Sequence, residues 1–191
     1  MAFTTRHTLL SKIKNGDNFS WDEFYNLYKK LIWLRCGDFG LFDEDKEEII
    51  QDVMSEFFRK KTVNRYDRSN GKFKNFFKKV VTDKIKDFLR KKSKQGIHVE
   101  LAENMDAIFS NPELDQLYDE EWKNHIYSQA IEEVKEIVSA KEFQVFNLSE
   151  KNTDTKLISQ LVGVKESSIY VYKKRVVDKL TEIVKDLSSE E

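Results

Sequence analysis

Across 191 residues, 33 Lys and Arg face 34 Asp and Glu, giving a formal net charge of -1 in a chain that is 35% charged and 39% hydrophobic. That balance excludes a uniformly basic nucleic-acid coat protein and an acidic tail, while leaving room for charge segregated along the chain. One Pro and six Gly are too few for a many-turned β sandwich or barrel, and 14 Phe, 7 Tyr and 3 Trp suffice for real cores, so the expected class is all-α.

The single Cys36 cannot staple the fold, and its apolar neighbours make it a buried free thiol suited to a reducing compartment. Met1 to Leu10 lacks the apolar run of a secretory signal, and no stretch approaches 18 uninterrupted apolar residues. The expected location is therefore cytoplasmic.

Ser20 with Glu23 reads as a capping box opening a first helix, whose apolar stripe is Phe24, Leu27, Tyr28, Leu31 and Ile32 and whose end lies near Cys36 and Gly37. A second helix is written by Ile49, Ile50, Val53, Met54, Phe57 and Phe58. Its other face carries Asp45, Glu47, Glu48, Asp52 and Glu56. After the polar stretch Tyr66 to Gly71, a third helix places Phe73, Phe76, Phe77, Val80, Val81, Ile85, Phe88 and Leu89 on one stripe. Between Arg59 and Lys94 there are 15 basic residues against three acidic ones, a local charge of +12.

From Gln95 to Tyr118 periodicity fades and all charge is acidic, which reads as a linker between a unit at 1–94 and a unit at 119–191. Periodicity returns through Trp122, Ile126, Ala130, Ile131, Val134, Ile137 and Val138, and Ser139 with Glu142 forms a second capping box. Two closely spaced helices follow, Thr155 to Val162 and roughly Glu166 to Leu187.

That last pair fits a helix-turn-helix. Ile158, Val162, Val164, Ile169 and Tyr172 fill apolar positions, Ser159 is the small residue at the crossing, and Gly163 supplies the tight turn. In that motif the second helix would present Lys165, Ser167, Ser168, Tyr170, Val171 and Lys174 to the major groove, with Lys173, Arg175 and Lys179 meeting phosphates. An ordinary αα hairpin with a solvated basic face is the alternative reading.

The basic third helix, with aromatics near one loop, suits a nucleic acid whose bases can be unstacked. Most of its Phe residues read equally well as core. By charge alone, the acidic face of the second helix is either solvated surface or a dock for a basic helix, and solvated surface is favoured. No catalytic constellation emerges, because His7, His98 and His125 are scattered, Cys36 lacks a partner and no Gly-rich phosphate loop occurs.

The order of these features, with their local sequences, resembles the extracytoplasmic-function group of bacterial RNA polymerase sigma factors of the sigma-70 family, over roughly Arg6 to Leu187. Asp45-Lys46-Glu47-Glu48-Ile49-Ile50-Gln51-Asp52-Val53-Met54 looks like the family's D-x-x-D-L-V-Q-E-V-F helix, which docks on the clamp helices of the largest polymerase subunit. The resemblance assigns polymerase binding to Glu48, Gln51, Asp52 and Glu56.

Phe73-Lys74-Asn75-Phe76-Phe77, continuing to Asp87-Phe88-Leu89-Arg90-Lys91-Lys92, looks like the F-x-x-W-L … D-x-x-R-R element that reads and melts the minus-10 promoter element. It implies minus-10 contacts from Tyr66, Arg68, Ser69, Asn70, Lys72, Lys74, Phe76, Lys78, Lys79 and Arg90. Phe76 stands where the family has Trp, and Asp83 where Asn is common. Gly163 to Tyr170 and Arg175 to Leu180 resemble the minus-35 reader, implying contacts from Lys165, Ser167, Ser168, Tyr170, Val171, Lys173, Lys174 and Arg175.

The resemblance therefore implies two small helical domains, a region 2 bundle and a region 4 helix-turn-helix, joined by an extended linker. It also implies core RNA polymerase (clamp helices and flap), promoter DNA and an anti-sigma factor as partners, with no cofactor and no catalysis by this chain. A helix-turn-helix regulator that works without polymerase docking is the competing expectation.

Overall fold

The computed structural model describes residues 6–15, 17, 19–59 and 62–189, apart from the side chains of residues 6–8, 19, 59, 68, 99 and 189. All regular structure among them is helical, so the class is all-α. No described helix is long and apolar enough to cross a membrane. Contacts divide the chain into two units, one running to Asn124 and the other covering His125–Ser189.

The first unit holds α1 (Arg6–Lys14), α2 (Phe19–Asp38), α3 (Asp43–Arg59), two short 3-10 turns (Thr62–Arg65 and Arg68–Asn70), α4 (Phe73–Ser93), α5 (Val99–Glu103), α6 (Met105–Phe109) and the first half of α7 (Pro112–Ile137). Phe73, Phe77, Val81, Ile85, Phe88 and Leu89 recur along α4 at spacings of three and four, and all are buried. Each fully buried Phe contributes roughly 1.5 to 3 kcal/mol of transfer free energy, so this stripe is what fixes α4. Its partners are mainly aromatic: between ring centroids Phe77 lies 4.8 Å from Tyr28, 5.7 Å from Phe57 and 6.1 Å from Trp122 of α7.

Two expectations are corrected here. Ser20 does not cap the first helix: α2 already begins at Phe19, and the buried Ser20 hydroxyl donates to Asp17 Oδ2 at 2.6 Å from within the first turn. The stretch 95–118 is not an extended linker, since it forms α5, α6 and the start of α7. A helix rises about 1.5 Å per residue against about 3.3 Å for extended chain, so the stretch reaches less far than an extended linker of the same length.

The reason lies in residues whose partners are remote in sequence. Met105 is buried, Phe109 stacks on Phe39 at 4.3 Å, and Tyr118 and Trp122 are fully buried in the first unit. His98, held at φ 54, binds Asp45 Oδ2 through Nε2 at 2.7 Å. The first unit therefore extends to Asn124, and the division falls inside α7 rather than before it.

The second unit contains the rest of α7, α8 (Ala140–Glu150), α9 (Thr155–Val162) and α10 (Glu166–Ser189). The Ser139–Glu142 capping box is present with both reciprocal bonds, satisfying donors that the first turn of α8 leaves open. Asp154 caps α9 by accepting from Lys156 N at 2.9 Å and Leu157 N at 3.3 Å. Val145, Ile158, Val162 and Ile169 form the core, with Leu148, Val164 and Tyr172 packed against it.

Candidate nucleic-acid interface

The turn between α9 and α10 follows from one residue without a Cβ. Gly163 takes the left-handed conformation, φ 67 and ψ 46, which costs other residues steric strain. Ser159 Oγ then donates to Val164 O at 2.7 Å, tying the first helix to the chain that enters the second. With Ile169 buried inward, the N-terminal part of α10 turns Ser167, Tyr170, Val171 and Lys174 to solvent, Lys165 just before the helix is exposed as well, and Ser168 is half-buried. Tyr170 is 74% exposed, far more than packing alone would leave for an aromatic ring.

The cations of this helix are not isolated. Lys173 pairs with Glu150 at 3.1 Å, Lys174 with Asp178 at 2.8 Å, Arg175 with Glu142 at 3.0 Å and Lys179 with Glu182 at 2.8 Å. All four are surface pairs, which phosphate can replace at small cost. Glu142 serves two partners: the Ser139 hydroxyl and backbone hold its carboxyl below the usual range, with Arg175 adding to the effect.

In the first unit, the loop before α4 is shaped by Asp67. Its Oδ1 accepts from Ser69 N at 2.9 Å, a bond that keeps the carboxyl below its ordinary range. This local turn holds Ser69 and Asn70 exposed, and Gly71 at φ +133 releases the chain into α4. Tyr66 is half-buried, its ring 5.2 Å from Phe73 and 5.5 Å from Phe76. The Arg68 side chain lies outside the described residues, as do Lys60 and Lys61.

Beside that loop lies an open cavity of about 460 Å³. Phe76, Lys79, Val80 and Asp83 of α4 line it together with Arg65 and Glu56. Phe76 is thus a half-buried cavity wall, not a core residue, and its ring shares the cavity with Arg65, Lys79 and Lys84. Asp83 lines the same cavity and places a carboxylate where a phosphate would be repelled.

The cations among the ten minus-10 candidates whose side chains are described separate into two groups. Lys72 and Lys79 are exposed and make no ion pair among the described residues. Lys74 is bound to Asp119 at 2.8 Å, Lys78 to Asp115 at 2.6 Å and Arg90 to Asp87 at 3.2 Å. The +12 of the sequence is therefore partly answered in three dimensions, by carboxylates on α3 and α7 that counting along the chain left out.

The acidic face of α3 divides in the same way. Lys91 Nζ donates to Glu48 Oε1 at 2.8 Å, holding that carboxyl below its usual range, and Lys92 lies 3.5 Å from Glu48 and from Asp45. Glu56 pairs with Lys84 at 2.8 Å and accepts from Thr62 Oγ1 at 3.2 Å. Gln51 and Asp52 are exposed and make no ion pair among the described residues. Two of the four polymerase-binding candidates are thus engaged within the fold, and two are open.

Cys36 is buried, and burial pushes its thiol up to about 12, so it stays protonated near neutrality. Among the described residues no group of three or more His, Cys, Asp and Glu is arranged to hold a metal ion. Sequence reasoning missed the cluster around Arg35, which is 2% exposed in its side chain, pairs with Asp38 at 3.1 Å and donates to Leu114 O at 2.7 Å. Glu121, adjacent to Trp122, is raised to about 7 by burial and then by Asp38, with Arg35 opposing. No periodicity signals such a cluster, because its members lie on α2 and α7.

No family model, no curated protein and no solved structure matches this chain.

Proposed function

We propose that this protein is a sigma factor that binds core RNA polymerase and directs promoter-specific initiation, reading a minus-35 element with α10 and opening a minus-10 element with α4 and the loop before it. The observation that carries this reading is the α9–α10 pair. A left-handed Gly163, the Ser159 bond to Val164 and a capped α9 fix a helix whose exposed N-terminal face offers Lys165, Ser167, Tyr170, Val171 and Lys174. Donors, acceptors and apolar groups in that combination suit base edges in a major groove.

Two features of the first unit support the polymerase-dependent form. Arg65 and the exposed Lys79 line a cavity walled by Phe76, suited to an unstacked base. Asp52 and Gln51 offer an acidic, hydrogen-bonding patch to a basic partner helix. Trading a few kcal/mol of stacking for these contacts would hold the strand open, with no covalent step by this chain.

A second reading, a duplex-binding regulator without polymerase docking, is supported by the internal pairing of Glu48 and Glu56. Asp52→Lys separates the two, because Asp52 is exposed and makes no ion pair among the described residues. The sigma reading expects this change to abolish association with core polymerase while circular dichroism stays unchanged; undiminished association contradicts it and favours the regulator.

A further inference from the structure

Lys74 and Lys78 are one helical turn apart on α4, and Asp115 and Asp119 are one turn apart on α7. The two pairs meet in reversed order: Lys74 Nζ lies 2.8 Å from Asp119 Oδ1, and Lys78 Nζ lies 2.6 Å from Asp115 Oδ1. Matching four-residue steps make this a registered contact rather than one chance pair. The registration has a cause in packing, since Tyr118 and Trp122 on the same helix are fully buried and the Tyr118 hydroxyl donates to Lys74 O at 3.2 Å.

The two sides of the contact differ in exposure. The lysine side chains are 16% and 24% exposed, whereas Asp119 and Asp115 are 55% and 57% exposed. The carboxylates therefore sit on the solvent side, where an incoming anion would lie. Turning each carboxylate aside requires a side-chain rotation, which for Asp115 also gives up its 3.7 Å pairing with Arg35, and leaves the buried Tyr118 and Trp122 in place. Lys79, one residue beyond Lys78, has no such cover among the described residues.

We propose that the start of α7 is an internal competitor for nucleic acid on α4. Asp115 and Asp119 occupy the sites that two backbone phosphates of an open strand would take, so that Lys79 binds first and Lys74 and Lys78 engage only when the strand displaces the carboxylates. This inference rests on the reading of α4 as a nucleic-acid surface. It adds that the surface is self-masked, which weakens binding to any passing single strand and reserves full contact for a strand held in place by other means.

The test uses the full chain and a labelled single-stranded DNA of about 20 nucleotides, titrated across a range of salt concentrations. The double variant Asp115→Asn, Asp119→Asn is expected to bind roughly tenfold more tightly at low salt. Its log-log salt slope should steepen by about 1.4, the value for two added phosphate contacts on a single strand. Adding Lys74→Ala and Lys78→Ala to that variant should remove both gains, and circular dichroism should show the helix content of all variants to be equal.

A double variant with unchanged affinity and slope overturns the competitor, even where Lys79→Ala still weakens binding and so upholds the nucleic-acid surface. Absence of binding by every form, with Lys79→Ala neutral, overturns the surface and the competitor together. Gains that survive loss of Lys74 and Lys78 also overturn the proposal, because the freed charge would then act elsewhere.

Discussion

Helices α4 and α10 are both cationic, but their charges are answered from different places. On α10, Lys174 and Lys179 are paired within about one turn by Asp178 and Glu182, and Lys173 and Arg175 by Glu150 and Glu142 on α8. On α4, Lys74, Lys78, Lys84, Lys91 and Lys92 are paired by Asp119, Asp115, Glu56, Glu48 and Asp45, all on other helices. A local charge count describes α10 fairly well and overstates α4. On the proposed reading, what matters is which minus-10 candidates the fold leaves open, Lys79 on α4 and Lys72 at its N-cap, more than how many cations the segment contains.

The comparison breaks most severely if the cover over α4 is removed. Trp122→Ala takes a fully buried ring out of the aromatic cluster and should destabilise the first unit by about 3 to 5 kcal/mol. Denaturant titration combined with hydrogen exchange checks this, with α4 amides losing protection and α10 amides keeping theirs. Protected α4 amides in the variant would mean that α7 is not part of that unit.

A smaller change comes from Glu121 on the same helix. Its pKa in the folded chain is raised from 4.5 to about 7, so between those values the folded state holds a proton that the unfolded state has lost. Stability contributed by this group must therefore fall as pH rises through that window, by roughly 3 kcal/mol at most and by less once solvent screening of the partly exposed carboxyl is allowed for. Glu121→Gln should flatten the decline between pH 5 and pH 8 in urea titrations, and an unaltered decline would place the buried proton elsewhere.

Smaller still is the turn that sets α10. Gly163→Ala places a Cβ in the left-handed region, where nothing lies within 4 Å to clash, so only backbone strain of about 1 to 2 kcal/mol is expected. Thermal melts of the second unit should show it. Lys174→Ala should leave stability unchanged and weaken binding to one upstream sequence by roughly tenfold. Equal weakening on all DNA would make Lys174 a phosphate contact.

The all-α class, the α9 bounds, the Ser139 cap and the Gly163 turn were legible because each depends on residues within one or two helical turns of one another. The docking of 95–118 was not legible, because Met105, Phe109 and Tyr118 lack a regular period, and Phe109 and Tyr118 find partners at Phe39, just past α2, and at Lys74 on α4. Among the site residues, exposure of Lys165, Tyr170 and Lys79 followed from helical phase. The engagement of Glu48, Glu56, Lys74 and Lys78 did not, since ion pairs between helices depend on how those helices cross. His98 illustrates the limit: a histidine without a motif is fixed by Asp45, 53 residues away.

The most direct measurement is transcription in a defined mixture of core RNA polymerase, this chain and genomic promoter fragments, with start sites mapped. If the protein is a sigma factor, transcripts arise from a small set of fixed positions, vanish without the chain and share upstream elements at the minus-10 and minus-35 distances. Transcription that stays at the level and positions of core polymerase alone would contradict the sigma reading.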